Sequence, residues 1–231
     1  MQYLSSEPLS LDPRNHCARL LEVLDLPNDD EQILVLPFLR PFNSPTFDTF
    51  GEAIDCFRQL FEVPRLHART YYLSRLNLLQ GLQFLHEHHI AHRYVARSTY
   101  CIDIDIPRFR DPNMNNFMME WRGMFPDGFH PQAIMRTKEA TGTASSFTRT
   151  QRPTRYIIVD FGMSSRYDPN DASPREKGLI GGDKTVPEFL NGQPYHDPYK
   201  ADIYYVGNLI RTEFMEVRLL LLHALFPHTL S

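Results

Sequence analysis

An apolar stripe that stops and then resumes in step constrains this chain more than any other feature. Residues 49–62 carry Ile54, Phe57, Leu60 and Phe61 at intervals that fall on one face of a helix, and a second stripe runs through Leu78, Leu82 and Leu85. Between them, residues 63–80 begin beside the helix-breaking Pro64 and hold Arg65, Arg69 and Arg75. Without that stretch Glu62 meets Gly81, Leu82 and Leu85 take places equivalent to 64 and 67, and the stripe runs on unbroken. The pattern predicts one long helix with foreign material inserted. Residues 63–80 and the tail 217–231 both open with valine, whose codon begins with the GT of a splice donor, and residues 63–80 close with glutamine, whose CAG codon supplies an acceptor. Retained introns and a lineage-specific insertion both account for this, since surface insertions are thermodynamically cheap. The sequence of the transcript decides between them.

Composition narrows the class. The 231 residues are 42% hydrophobic, which suits one large domain or two small lobes. A net charge of −4 and a pI near 6.2 leave no basic footprint for nucleic acid or an anionic membrane, although arginine outnumbers lysine. Residues 1–10 lack a basic stretch followed by an apolar core, and no apolar run approaches the roughly 20 residues of a membrane span. The expectation is an intracellular chain, cytoplasmic or nuclear, with neither nucleic acid nor membrane as partner. Cys17, Cys56 and Cys101 are odd in number and form no Cys-x-x-Cys pair, which predicts buried thiols and no disulfide framework or zinc site.

Along the chain, residues 31–38 form an apolar run behind an acidic turn and read as a buried strand; residues 17–25 precede it as a strand or, by their leucines, a helical turn. Residues 107–155 are rich in Pro, Asn, Met, Thr and Ser, with 137–154 nearly devoid of aliphatic residues, and read as a long insertion, largely disordered toward its end. Residues 156–159 return as a strand and residues 201–215 as a helix. His86-Glu87-His88-His89-Ile90 approaches a zinc-protease helix, but Ile90 stands where the second histidine is required, which leaves a helix end with solvated histidines.

Four short motifs then occur in a fixed order: Ala91-His92-Arg93-Tyr94 following Gly81 to His86, Val159-Asp160-Phe161-Gly162, Val186-Pro187-Glu188, and Asp202 to Gly207. Each is weak alone, and the ordered set is strong. Through them, residues 15 to 215 resemble a eukaryotic protein-kinase C-lobe. Arg40-Pro41-Phe42, Phe57 to Glu62 and Gly181 to Lys184 are similar to stretches in the kinase-like proteins of mushroom-forming fungi. The resemblance implies an α+β, protein-kinase-like fold, mainly the helical C-lobe with a remnant of the N-lobe β-strands. Residues 1–48 would be the N-lobe remnant and hinge, with 36–39 meeting adenine. Residues 49–216 would be the C-lobe with inserts at 63–80 and 107–155, and 217–231 a tail outside the pattern.

The same resemblance implies ATP and Mg2+ as cofactors and assigns roles to residues. Asp160 of Asp160-Phe161-Gly162 would hold the metal, with Phe161 setting its orientation. His92 and Phe161 would stack, and Arg93 would reach toward the activation segment. Tyr94 takes the place of the proton acceptor, where a phenol with a pKa near 10 stays protonated at neutral pH. Counting on from Tyr94 puts the second metal position at Thr99, a poorer ligand than an amide carbonyl; Asp103 and Asp105 lie too far along to serve. No glycine precedes Gly51 and no lysine precedes Lys138, so this sequence offers neither a Gly-rich phosphate loop nor a phosphate-pairing lysine ahead of the hinge. Glu188 would close the activation segment on an arginine of a later helix that the sequence does not include. Asp202 would accept the N–H groups of the catalytic loop, act as a helix N-terminal acid, or both. Gly207 would be structural, and Ser173 and Thr185 are candidate phosphorylation positions. The expected function is a protein-kinase-domain protein with impaired catalysis, a pseudokinase or interaction module with an unidentified protein partner. The alternative is a low-activity ATP-dependent Ser/Thr kinase using Asp160 for Mg-ATP.

Overall fold

A computed structural model describes residues 1–27, 31–60, 81–93, 116–178 and 185–211. The chain divides into two compact units, Met1–Phe84 with Phe117–Asp160, and Leu85–Asn116 with Phe161–Ser231. That division does not fall at residue 48. Among the described residues the protein is mixed, with small antiparallel sheets and a few helices.

In the first unit a short helix α1 (Gln2–Ser5) is fastened by the buried Asn15, whose Nδ2 donates to the carbonyls of Leu4 (2.8 Å) and Leu9 (2.9 Å). Strands β1 (Glu22–Asp25) and β2 (Gln32–Val35) pair antiparallel as an isolated ribbon. The strand expected over 31–38 exists but is not buried: Ile33 and Leu34 are 47% and 45% exposed. A two-stranded ribbon hides apolar side chains only when another layer covers it, and no other described strand pairs with this one. Strands β3 (Arg40–Pro41), β5 (Phe117–Met119) and β6 (Tyr156–Ile158) form a three-stranded sheet in the order β3-β5-β6. All three residues of β6 are buried, and Cys17 bridges to Ile158 in parallel.

Helix α2 (Phe50–Leu60) packs on β6 with a face rotated from its apolar stripe: Leu60 of the stripe is buried and Phe57 half-buried, but Ile54 is not covered. Ala53, Cys56 and Leu60 are buried together with Glu52, whereas Ile54 is 63% exposed. The Glu52 carboxylate sets this rotation. It accepts hydrogen bonds from the Asp48 N–H (2.9 Å) and from the N–H and hydroxyl of Thr150 (2.8 Å each), which draws that side of the helix inward. Phe61 and the insert 63–80 lie outside the described residues. Helix α3 (Gly81–Glu87) starts at a point where only glycine fits: a Cβ on Gly81 would stand 2.9 Å from Ile158 Cδ1 and 3.2 Å from the Leu60 carbonyl oxygen. The end of α2 and the start of α3 therefore adjoin in space, although twenty residue numbers separate Leu60 from Gly81.

The expectation of disorder toward the end of 107–155 is overturned for the part described. Residues 116–155 supply β5 and bury Met124, Phe125 and Phe129. Two buried arginines organise this region. Arg40 donates to the carbonyls of Ser44 and Ile134 (2.7 Å each) and stacks on Phe125 and Phe129, its carbon Cζ 4.2 and 4.4 Å from the ring centres. Arg149 donates to the carbonyls of Phe42 (2.9 Å), Pro45 (2.7 Å) and Thr46 (3.1 Å) and lies over Phe47. Chain with little strand or helix must satisfy its buried carbonyls some other way, and a five-donor guanidinium does so from one point. Burial, with the like charge of Arg149, pulls the Arg40 guanidinium down to about 10, which leaves it charged at neutral pH.

In the second unit β4 (Ile90–Ala91) pairs with β7 (Ser165–Arg166), and β8 (Glu176–Lys177) pairs with β9 (Tyr195–His196). A short helix α4 (Pro187–Leu190) follows the buried Val186. Helix α5 (Pro198–Ile210) begins earlier than the expected 201; Asp197 caps it by accepting from the N–H groups of Tyr199 (3.0 Å) and Lys200 (3.3 Å), with Pro198 in the first turn. Its buried face carries Ala201, Asp202, Tyr205, Val206 and Leu209, the spacing of a helical stripe.

Candidate functional site

The β4–β7 pairing sets Ile90 against Arg166 and Ala91 against Ser165, so the chain leaving β4 as His92-Arg93 runs beside the chain that follows Asp160. The fully buried His92 ring meets the Phe161 ring at 5.1 Å, edge to face, and its carbonyl accepts a hydrogen bond from the Ser164 hydroxyl (3.1 Å).

Asp202 is the centre of this arrangement. Its carboxylate has no solvent exposure and accepts the backbone N–H of His92 (2.8 Å, Oδ2) and of Arg93 (2.7 Å, Oδ1). His86 Nε2 sits 3.0 Å from Oδ2. A buried carboxylate is costly unless donors surround it, and these contacts are charge-assisted. His86 is therefore no solvated helix-end histidine: it is tied to Asp202 and packs against the Tyr199 ring at 4.8 Å. Burial first, then Asp197, Asp171 and Asp202, raise the Tyr199 phenol.

Arg93 leaves this anchor with a left-handed φ of 68°, and Asp160, delivered by β6, has φ 61°. Such values are rare outside glycine and cluster where surrounding structure enforces them for function. The Arg93 guanidinium reaches the Met163 carbonyl (3.2 Å), the Ser165 hydroxyl (2.7 Å) and the Glu176 carboxylate. Asp160 is exposed, and a carboxylate oxygen there is a fitting donor for Mg2+, which takes hard oxygen ligands. Among the described residues no group of three or more His, Cys, Asp or Glu side chains is arranged to hold a metal ion.

The other assigned residues are placed as follows. Phe161 is half-buried, and Gly162 lies exposed at the turn that follows. Glu188 is half-buried in the first turn of α4. Gly207 is on the exposed side of α5, where an added Cβ would meet nothing described within 4 Å. Tyr94 and Thr99 lie outside the described residues, as does Cys101. Cys17 and Cys56 are buried, and burial pushes both thiols well above their ordinary range.

In the first unit, a cleft of about 500 Å³ is bordered by Pro37, Phe38 and Leu39 together with Trp121, Glu120 and Arg155. The Phe38 carbonyl, in the segment expected to meet adenine, instead accepts a hydrogen bond from Trp121 Nε1 (2.8 Å). Trp121 thus occupies an acceptor of that backbone. No helix among the described residues is long and apolar enough to cross a membrane.

One candidate was missed in the sequence. Asn116 is buried and stands immediately ahead of β5, the strand paired with the one that delivers Asp160. Counting from Tyr94 gives Thr99 as the second metal position that the resemblance implies. The operation that joins Glu62 to Gly81 gives another: without residues 94–110, His92-Arg93 would run directly into Asp111, and Asn116 follows Asp111 at the spacing that the motif H-R-D-x-x-x-x-N would require. Asp111 itself lies outside the described residues. No family model matches the chain and no curated protein matches it, so any functional reading rests on the residues themselves.

Proposed function

We propose that this chain is a protein-kinase-like protein whose catalytic loop is interrupted, leaving it impaired in catalysis and suited to act as an interaction module for another intracellular protein. The observation that carries the reading is the buried Asp202 carboxylate on the backbone N–H groups of His92 and Arg93, with His92 stacked on Phe161. Residues of three of the four ordered motifs meet in that one set of contacts, which supports the reading. The likeness to kinase-like proteins of mushroom-forming fungi rests on other stretches, Arg40 to Phe42, Phe57 to Glu62 and Gly181 to Lys184, and cytoplasm or nucleus is the compartment proposed.

The interruption explains the impairment. A phenol at Tyr94 cannot accept the proton of a substrate hydroxyl, whereas Asp111 could if it followed Arg93 directly. In an active form Asp160 would hold Mg-ATP; in this chain residues 1–48 supply neither a Gly-rich loop nor a lysine to clamp the phosphates, so Asp160 by itself should not retain the nucleotide. Titrating the full chain with Mg-ATP tests the reading: the melting temperature should show no saturable, magnesium-dependent rise, and a rise that Asp160→Asn removes overturns it.

A second reading, an active Ser/Thr-type kinase in the uninterrupted form, is favoured by the adjoining ends of α2 and α3, which show how an insert can leave and re-enter at one point. Deleting residues 63–80 and 94–110 together should create phosphotransferase activity that Asp111→Asn abolishes. No activity from a folded deletion variant sinks this second reading alone.

A further inference from the structure

One side chain ties the segment after Phe161 to the His-Arg loop. Arg93 donates from Nη1 to the Met163 carbonyl and the Ser165 hydroxyl, and its Nη2 pairs with Glu176. The pair is largely shielded, with the Arg93 side chain 16% exposed and that of Glu176 20%. Exposed ion pairs contribute little, whereas shielded ones with additional hydrogen bonds hold their geometry. Glu176 lies in β8 opposite His196 of β9, and β9 runs into Asp197, the cap of α5. Helix α5 carries Asp202, which holds the Arg93 N–H. The links close into a ring that grips Arg93 at both its backbone and its guanidinium.

We propose that Glu176 is a positioning residue that latches Arg93, and through it residues 163–177, where a phosphoryl group on the segment would otherwise be needed. Arginine–phosphate pairs are a common means of ordering such segments, and a carboxylate offers the same guanidinium a permanent partner. The comparison with phosphate rests on the kinase-like reading; the latch does not. The two candidate phosphorylation positions fit a supporting role poorly. Ser173 is exposed beside Asp171, whose Oδ1 accepts the Ser173 N–H (3.0 Å), so a phosphate there would meet like charge. The Thr185 hydroxyl is hydrogen-bonded by the Tyr204 hydroxyl (3.1 Å).

Hydrogen exchange on the full chain tests the latch without nucleotide, so its result is independent of the Mg-ATP titration. Glu176→Gln should speed exchange of the amides at 163–178 by about ten-fold while leaving those at 117–158 unchanged. In the double variant with Arg93→Met the effect should be no greater than for Arg93→Met alone, because both changes break one interaction. Unchanged protection in Glu176→Gln, or effects that simply add, overturns the proposal. Should Glu176→Gln fail to fold, Glu176→Asp decides: retained protection at 163–178 supports the latch, and protection lost throughout both units overturns it.

Discussion

The two units solve the same problem with opposite charges. In the first, irregular chain between residues 42 and 46 leaves carbonyls pointing inward, and the buried cation of Arg149 collects them. In the second, the loop at His92 and Arg93 turns N–H groups inward, and the buried anion of Asp202 collects those. Charge sign follows from which half of the peptide group lacks a ladder partner. Neither site is a conventional salt bridge. Each is a hub on which backbone from distant parts of the sequence converges, so its loss should be felt far beyond one residue.

That comparison breaks or sharpens under substitution. The largest effect should come from Asp202→Ala, which strands two backbone donors and His86 in a dry site and should cost about 3 to 5 kcal/mol in thermal or denaturant unfolding. Asp202→Asn keeps the shape and one acceptor and should recover part of the loss; equal damage from both would mean that the site requires the negative charge and both carboxylate oxygens, and that a neutral acceptor of the same shape does not serve. Arg149→Met should cost about 2 to 3 kcal/mol, less than the loss of Asp202, since two of the three carbonyls it leaves belong to the half-buried Pro45 and the exposed Thr46. Arg149→Lys should restore little, because one ammonium cannot reach three carbonyls as the planar fork does.

The smallest effect should be a pH dependence. His196 is buried, and burial, opposed by the nearby Glu188 and Glu176, holds its pKa below the ordinary 6.5. A depressed folded pKa means that the unfolded chain binds the proton more readily. This contribution is therefore complete above about pH 6.5 and lost as pH falls through the folded value. Glu52 has the same sign lower on the scale: burial would raise its pKa, but the N–H of Asp48, the N–H and hydroxyl of Thr150 and the charge of Arg149 hold it below 4.5. Melting temperatures from pH 8 to pH 3 should fall in two steps, the upper one absent in His196→Gln. A single step near pH 4 in the unaltered chain would remove His196 from this account.

Local pattern carried some of this in the sequence. The strand at 156–158 was legible because an uninterrupted β-branched and aromatic run leads into Asp160, and the helix at 50–60 because its period is strong. The contacts of His92, Arg93, Phe161 and Asp202 were legible only through ordered motifs, since nothing in their local spacing says that residue 202 lies beneath residue 92. The face of α2 was legible only in part, since Leu60 of the stripe is buried but Ile54 is exposed. Hydrophobicity pointed to Ile54, and Glu52 prevailed because Thr150, nearly a hundred residues away, supplies its donors. Order in 116–155 was hidden for a similar reason: composition measures the apolar area a segment can bury by itself and is blind to Arg40, placed elsewhere, which donates to the Ile134 carbonyl and stacks on Phe125 and Phe129.

The sequence by itself determined the order of the motifs, the interrupted helical stripe and the spacing from Asp111 to Asn116, because these are properties of chain position. Only the tertiary structure decided which charges are buried, which face of α2 is hidden and that Glu176 is the partner of Arg93. A hydrogen bond to a buried backbone group depends on where the chain brings its partner, and no local pattern records that meeting.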